Sequence, residues 1–370
     1  MRVDVHCHIG QRRRLCGDEG RFSFEAPGQY APCDSYFSDV MYYGVFMRLA
    51  RLHFGLGGGR TSEQEFDARV EHILLDHILG AENVDRVVLL AFDQYHTDEG
   101  RPLGSRRHLW QHGSDLYVSN TYARQLWLRH PRRILFGASI HPYRRVGRKT
   151  AMDMLEEVAA AGAVLVKWLP LSQNIDGQDP RTIDFLRRAA SLKIPVLIHC
   201  GCEAALGNMH PRFKDPAPWL RTLRQLRQEQ CPPTVIIAHV ASPPLWPVTS
   251  ARTLHTLLDA LTGEFADAPL YADLAGMTMI NKAVWLKKLA RMPEIHHKLV
   301  HGSDFPIPPF PIVFWPQLGR QYRTIRQLKS WLDQDIAVKT ALGFPESIFD
   351  RAGELLAERI RFADALAGRV

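Results

Sequence analysis

A chain of 370 residues, 46% apolar and 23% charged, has the balance of a soluble globular protein and can bury a large core in one big domain or two ordinary ones. Its longest apolar stretches reach only about seven residues or are broken by proline, which excludes a membrane-spanning helix; no secretory signal is expected, and its six cysteines (Cys7, Cys16, Cys33, Cys200, Cys202, Cys231) form no paired CxxC knuckles, so a reduced, cytoplasmic protein is expected. The net charge of +7 and pI near 9.1 are compatible with nucleic acid, but no recognition motif accompanies them, and neither nucleic acid nor membrane is expected as a partner.

The first run, "RVDVHCH" (2–8), is a strand whose alternation puts Asp4, His6 and His8 on one face. A long interval follows. "CGDEGRFSFEAPGQYAPCDSYF" (16–37) is rich in turn formers, part of 38–54 reads as helical, and "FGLGGGR" (54–60) has the composition of a hinge. A loop of this length in a compact domain is usually functional, and residues 9–64 are expected to form a lid over the active face. "EFDARVEHILLDHILG" (65–80) then places Phe66, Val70, Ile73, Leu74, His77 and Ile78 on one side of a helix.

From there strands and helices alternate. The runs are "VDRVVLLAF" (84–92), "ILFGAS" (134–139), "AVLVKWL" (163–169), "PVLIHC" (195–200), "TVIIAH" (234–239), "LYADLA" (270–275) and "KLVHGSD" (298–304). Continuous aliphatic runs suit strands buried on both faces, as in a parallel sheet. "DPRTIDFLRRAASLK" (179–193) opens with an Asp-Pro helix entry, and further helices are expected near 217–230, 250–262, 282–291, 322–333 and 345–361. Eight strands alternating with helices predict an α/β fold of the (β/α)₈ TIM-barrel type, one domain over 1–370 with a long insertion after strand one. An open doubly wound sheet is the alternative, but "HCHIGQ" is not the glycine-rich phosphate loop it would carry.

Barrel chemistry belongs to the carboxyl ends of the strands. Here those ends carry His6 and His8, Lys167, His199, His239 and Asp304, each closing an otherwise apolar run. One such histidine would be an ordinary polar strand end. Together they predict a metal site collected from several strands, with Asp4 deeper and able to orient an imidazole. His72, His77, His130, His255, His296 and His297 read as helix-surface or loop residues.

The stretches "VDVHCHIG", "VLVKWLPLSQNID", "IPVLIHCG", "VIIAHVASP" and "LVHGSDFPI", spanning residue 3 to about 310, resemble the amidohydrolase superfamily, most closely its amidohydrolase-related, decarboxylase-like branch. The resemblance implies a TIM barrel with one or two divalent metals, zinc foremost, with manganese or iron as alternatives. It implies His6, His8, His199 and Asp304 as ligands, and His239 as a second-metal ligand or a catalytic residue beside a single metal. Lys167 stands where two-metal members carry a carboxylated, bridging lysine, although one-metal relatives also keep a lysine there. The sequence departs from the branch in following Lys167 with Trp168, Leu169 and Pro170.

The expected activity is metal-dependent hydrolysis. A metal-bound hydroxide attacks a C–N or C–O bond beside the carbonyl of a small amide, lactone or ester, Asp304 takes up and returns the proton, and His239 donates a hydrogen bond to the oxyanion. The branch also implies an alternative, nonoxidative decarboxylation of an aromatic or unsaturated acid. A catalytically inactive metal-binding protein is the third reading. Arg12, Arg13 and Arg14 lend some support to a carboxylate-bearing substrate, although a solvated lid surface is the more ordinary explanation of such a run. His141, Trp168, Asn174, His210 and Arg212 follow strand ends and are expected to touch the substrate, with Tyr143, Asn208 and Ser242 as lesser candidates. Residues 201–213 would form a glycine-bearing loop folding over the metal, and "FPIPPFPIVFWP" (305–316) would pack on a partner, as in a homodimer, or join the lid.

Overall fold

A computed structural model describes residues 1–26, 30–45, 47–48, 51, 62–201, 206–207, 209–244 and 250–368. Eight strands form the central sheet: β1 (Val3–His8), β2 (Arg86–Leu90), β3 (Ile134–Ala138), β4 (Leu165–Trp168), β5 (Val196–His199), β6 (Val235–Ala238), β7 (Leu270–Asp273) and β8 (Leu299–Val300). Each pairs in parallel with the next in chain order. Every one of the eight coincides with an apolar run in the sequence, because strands covered on both faces must be apolar throughout. β8 is short, and the chain beyond it closes the barrel against β1. Val5 N–H donates to His301 O (3.3 Å), Asp304 N–H to His6 O (2.9 Å) and His8 N–H to Phe305 O (2.6 Å).

The outer helices are α1 (Glu63–Leu79), α2 (Asn120–Arg129), α3 (Ala151–Ala160), α4 (Pro180–Ser191), α5 (Ala217–Gln228), α6 (Arg252–Thr262), α7 (Ala283–Leu289), α8 (Trp331–Ala341), α9 (Glu346–Leu355) and α10 (Ala357–Ala367). Side-chain caps set several starts. Ser62 accepts from Glu65 N, Ser119 from Tyr122 N, and Thr150 and Asp153 form a reciprocal box. Two expected helices are each divided. The segment near 322–333 splits into a short helix Gln321–Gln327 and α8, because Leu328 turns extended (ψ 132°) and Ser330 caps a new start. The segment near 345–361 breaks at Leu356 into α9 and α10.

The insertion after β1 builds a three-stranded antiparallel sheet in which Ser35–Phe37 lies between Arg13–Arg14 and Leu116–Val118, the last from the β2–α2 connection. A helical turn, Asp39–Tyr42, follows. Buried carboxylates fasten it down. Glu25 accepts from the backbone and side chains of both Asn120 and Thr121 at the start of α2, where the helix dipole favours a negative charge. Asp34 holds Arg21 and Ser119, and Asp67 of α1 accepts from Arg12 N and Arg13 N. The expected hinge at 54–60 lies outside the described residues.

Candidate metal centre

The polar strand ends converge at one mouth of the barrel. His6 and His8 project from β1 on the same face, two residues apart. His8 Nε2 lies 3.4 Å and His6 Nε2 3.6 Å from Asp304 Oδ1. Lys167 Nζ of β4 approaches His6 Nε2 at 3.0 Å. The His239 ring stands 5.0 Å from that of His6 and 4.8 Å from that of His199, centroid to centroid. The ligand atoms of His6, His8 and Asp304 all lie within 4.8 Å of one another, a spacing that one small cation can span. These residues, which the sequence marks as strand ends, lie together at the mouth.

Asp273, at the end of β7, is the residue that sequence reasoning missed. Its Oδ2 meets His6 Nδ1 at 2.7 Å, while its Oδ1 accepts from His239 N (2.7 Å) and Ala275 N (3.0 Å). The signal was present, since Asp273 ends the apolar run "LYAD" as the other site residues end theirs. Asp4 orients no imidazole of the centre, its Oδ2 lying 3.8 Å from His301 Nε2 instead. Its Oδ1 is taken by the backbone N–H groups of His6 and Ser303, and Asp273 fixes the His6 ring instead. His6, His239 and Asp273 also lie close enough to suggest a second metal cluster, but the three hydrogen bonds to Asp273 mark it as a support for the first.

The donor set fits a divalent metal. With Asp273 accepting from Nδ1, His6 keeps its Nε2 lone pair toward the centre. His239 Nδ1 sits 2.7 Å from the carbonyl of Ala275. A carbonyl only accepts, so Nδ1 carries the proton and Nε2 presents a lone pair. That tautomer suits a ligand or a proton acceptor and corrects the expectation that His239 donates to an oxyanion. Burial lowers the pKa of His6, His199 and His239 well below the usual histidine value, and the nearby ammonium groups of Lys167 and Lys282 act in the same direction. The rings are therefore neutral, as metal ligation requires. Burial raises the Asp304 carboxyl, but the hydrogen bond from His8, with the nearby Lys282 ammonium acting in the same direction, holds it below its usual carboxylate range. Lys167 donates to the same His6 lone pair that a metal would take, so that contact and ligation exclude each other.

The backbone at the centre is held in unusual geometry. His239, Val240 and Ala241 have φ of 55°, 51° and 50°, and Asp304 has φ of 66°, left-handed values that cost non-glycine residues free energy and concentrate at functional sites. Gly276 (φ +62°) makes room for Asp304, since a Cβ there would lie 2.8 Å from Asp304 Oδ2.

Above the centre opens a cavity of about 180 Å³ whose floor is His6, His8, Lys167, His199, His239 and Asp304. Its walls come from the insertion (Phe37, Met41, Met47, Arg51), α1 (Phe66, Val70, Leu74), Trp331, and the loops carrying Phe92, Leu169, Leu206 and Ile307. The insertion thus forms part of the wall, and Pro306–Pro308 of the proline-stiffened segment joins it.

The five residues expected to touch a substrate lie elsewhere. β4 continues through Trp168, so its side chain points opposite to Lys167, packs on Phe185 and Trp219, and donates from Nε1 to Ile140 O at 2.7 Å. His141 is buried, donating to Gln173 O and accepting from Tyr143 N. Asn174 closes the short helix Pro170–Gln173 at φ 67° and donates to His96 O and Asp98. His210 stacks on Tyr95, and Arg212 is exposed over Phe213. Of the lesser candidates, Tyr143 OH accepts from Asp176 N, Ser242 is buried, and Asn208 lies outside the described residues, as do 202–205 of the glycine-bearing loop. Nor do Arg12, Arg13 and Arg14 face the cavity. Arg12 pairs with Asp39 and Glu63, Arg14 approaches Glu71, and Arg13 is exposed.

Among solved structures, an uncharacterised TIM-barrel protein from Bordetella bronchiseptica is similar over 97% of this chain and 99% of its own, with 14% identity and a TM-score of 0.54. The chain has the TIM-barrel fold. A probable 2-pyrone-4,6-dicarboxylic acid hydrolase from Acinetobacter baumannii, with citric acid bound, shares 16% identity over 96% of this chain and 95% of its own (TM-score 0.45). A 2,6-dihydroxybenzoate decarboxylase from Rhizobium shares 12% over 96% and 98% (TM-score 0.43). Other structural neighbours are amidohydrolase 2 proteins. No protein-family model and no curated protein matches the sequence. Among the described residues, no helix is long and apolar enough to cross a membrane.

Proposed function

We propose that this chain is a metal-dependent hydrolase of the amidohydrolase superfamily, cleaving a C–N or C–O bond beside the carbonyl of a small molecule. The observation that carries the reading is the meeting of His6 Nε2, His8 Nε2 and Asp304 Oδ1 within 4.8 Å at the barrel mouth, with Asp273 holding the back of His6. His6, His8, His199 and Asp304 would hold the ion, His239 stands beside them with its Nε2 lone pair, and Lys167 is in reach to bridge a second ion if carboxylated. Such an ion, zinc foremost by its nitrogen and oxygen donors, would lower the pKa of a water molecule and polarise a carbonyl. Asp304, ionised and 18% exposed, accepts the water's proton and returns it to the leaving group. Asp273 keeps His6 in one tautomer throughout. The insertion and the loop after β8 exclude bulk water from the reacting bond.

The apolar walls favour a second reading, nonoxidative decarboxylation. A carboxylate stripped of water loses carbon dioxide more readily, because its charge spreads as the C–C bond breaks. The electron pair stays on carbon, which then takes a proton from water. Product analysis separates the two: hydrolysis in ¹⁸O-water labels a product, whereas decarboxylation releases carbon dioxide. A panel of amides, lactones, esters and unsaturated or aromatic acids should give turnover with zinc- or manganese-loaded protein, and Asp304→Asn should lower kcat about a hundredfold or more. Full activity in Asp304→Asn would overturn its assigned role, and a fully metal-loaded protein inert over the whole panel would indicate a metal-binding protein without catalysis.

A further inference from the structure

The walls of the cavity say what the body of the substrate is made of. Its floor collects the polar groups of the metal centre, and among the described residues the wall adds one further charged side chain, Arg51, whose guanidinium lies over the Tyr42 ring at 4.6 Å. The rest of the described wall is apolar. Phe66, Val70 and Leu74 are spaced four apart on α1, so they form one stripe along the cavity. Phe37 and Met41 of the insertion and Trp331 of α8 also line it. A substrate with polar groups at both ends would have to strip them of water against this surface with few partners to replace it. A cavity of about 150 Å³ accepts a benzene ring, and this one measures about 180 Å³.

We infer that the substrate is amphipathic, with a single polar head for the floor and an aromatic or branched aliphatic body of about benzene size or somewhat larger seated on the α1 stripe. This rests on the reading of the floor as a metal centre, which supplies the site for the head. It sets the substrate apart from compact polyacids such as the citric acid bound to the Acinetobacter protein.

The test is calorimetric binding of two probe series to zinc-loaded protein: n-alkyl hydroxamic acids, whose head binds metal, and n-alkyl alcohols, whose head does not. Affinity should rise about fourfold per methylene, from about two carbons up to about eight, and then level off. In Val70→Trp the rise should stop several carbons earlier, and in Val70→Ala it should extend further; the pair keeps the test sound if the larger side chain disturbs folding. Affinity independent of length in both series would overturn the inference, as would tighter binding of short dicarboxylates than of the longer monofunctional probes. If the alcohols gain with length while hydroxamates of every length bind no better than the alcohols, the metal reading fails and the apolar body stands.

Discussion

Asp273 uses one carboxylate to hold three groups: the His6 ring, the backbone N–H at which β6 turns into the site, and the N–H of Ala275. An amide cannot accept from all three. Asp273→Asn should release the His6 tautomer and weaken metal binding about ten- to a hundredfold in competition with a chelator; unchanged affinity would remove Asp273 from the centre. His141 gives a separate, pH-dependent expectation. Its Nε2–H donates to Gln173 O and its Nδ1 accepts from Tyr143 N–H, so both bonds need the neutral ring. Burial, with His96 close by, pushes its pKa well below the usual 6.5. Below about pH 6.5 the unfolded chain gains a proton that the folded chain refuses, and stability falls as pH drops. The other buried histidines act in the same direction, so His141→Gln should flatten part of the fall in Tm between about pH 7 and pH 5, and an unaltered slope would contradict the neutral assignment. The sequence shows each of these side chains. It does not show which ring nitrogen carries the proton, because that depends on a carbonyl or carboxylate from a distant strand.

Buried carboxylates attach the insertion to the barrel alongside its apolar packing, and Glu25 is the one that can be cut cleanly. Its four hydrogen bonds at the start of α2 need acceptors only, so Glu25→Gln brings an NH₂ against N–H donors. The loss should be on the order of 3 kcal/mol by urea unfolding, with earlier proteolytic cleavage in the segment before α1. Wild-type stability and cleavage would show that Glu25 does not anchor the insertion. An insertion was legible from interval length and composition alone, but its anchors were not, since the partners of Glu25, Asp34 and Asp67 lie far along the chain. Helix α1 shows a similar division. Its apolar side was visible as Phe66, Val70, Ile73, Leu74 and Ile78, and that spacing fixes a face without saying what covers it. The structure gives Phe66, Val70 and Leu74 to the cavity and keeps Ile78 in the core.

The whole barrel was readable because each of its strands is a short apolar run with turn formers around it, and because polar residues at strand ends have few other reasons to recur. The substrate contacts were not readable in the same way. Trp168, His141, Asn174, His210 and Arg212 are close in sequence to strand ends, but their side chains pack behind the strands, cap turns or face solvent. The residues that shape the cavity come instead from the insertion, α1 and Trp331, which only folding brings over the centre. At the scale of the molecule, the proposed role of this mouth is to hold a divalent metal through His6, His8, His199 and Asp304. It is tested most directly by measuring metal content per chain, by mass spectrometry after zinc loading and exhaustive dialysis, for the wild type and for a folded His6→Asn, His8→Asn double variant. The wild type should retain at least about one ion per chain and the double variant a small fraction of it; a wild type without metal, or a double variant that keeps the full amount, would contradict the account.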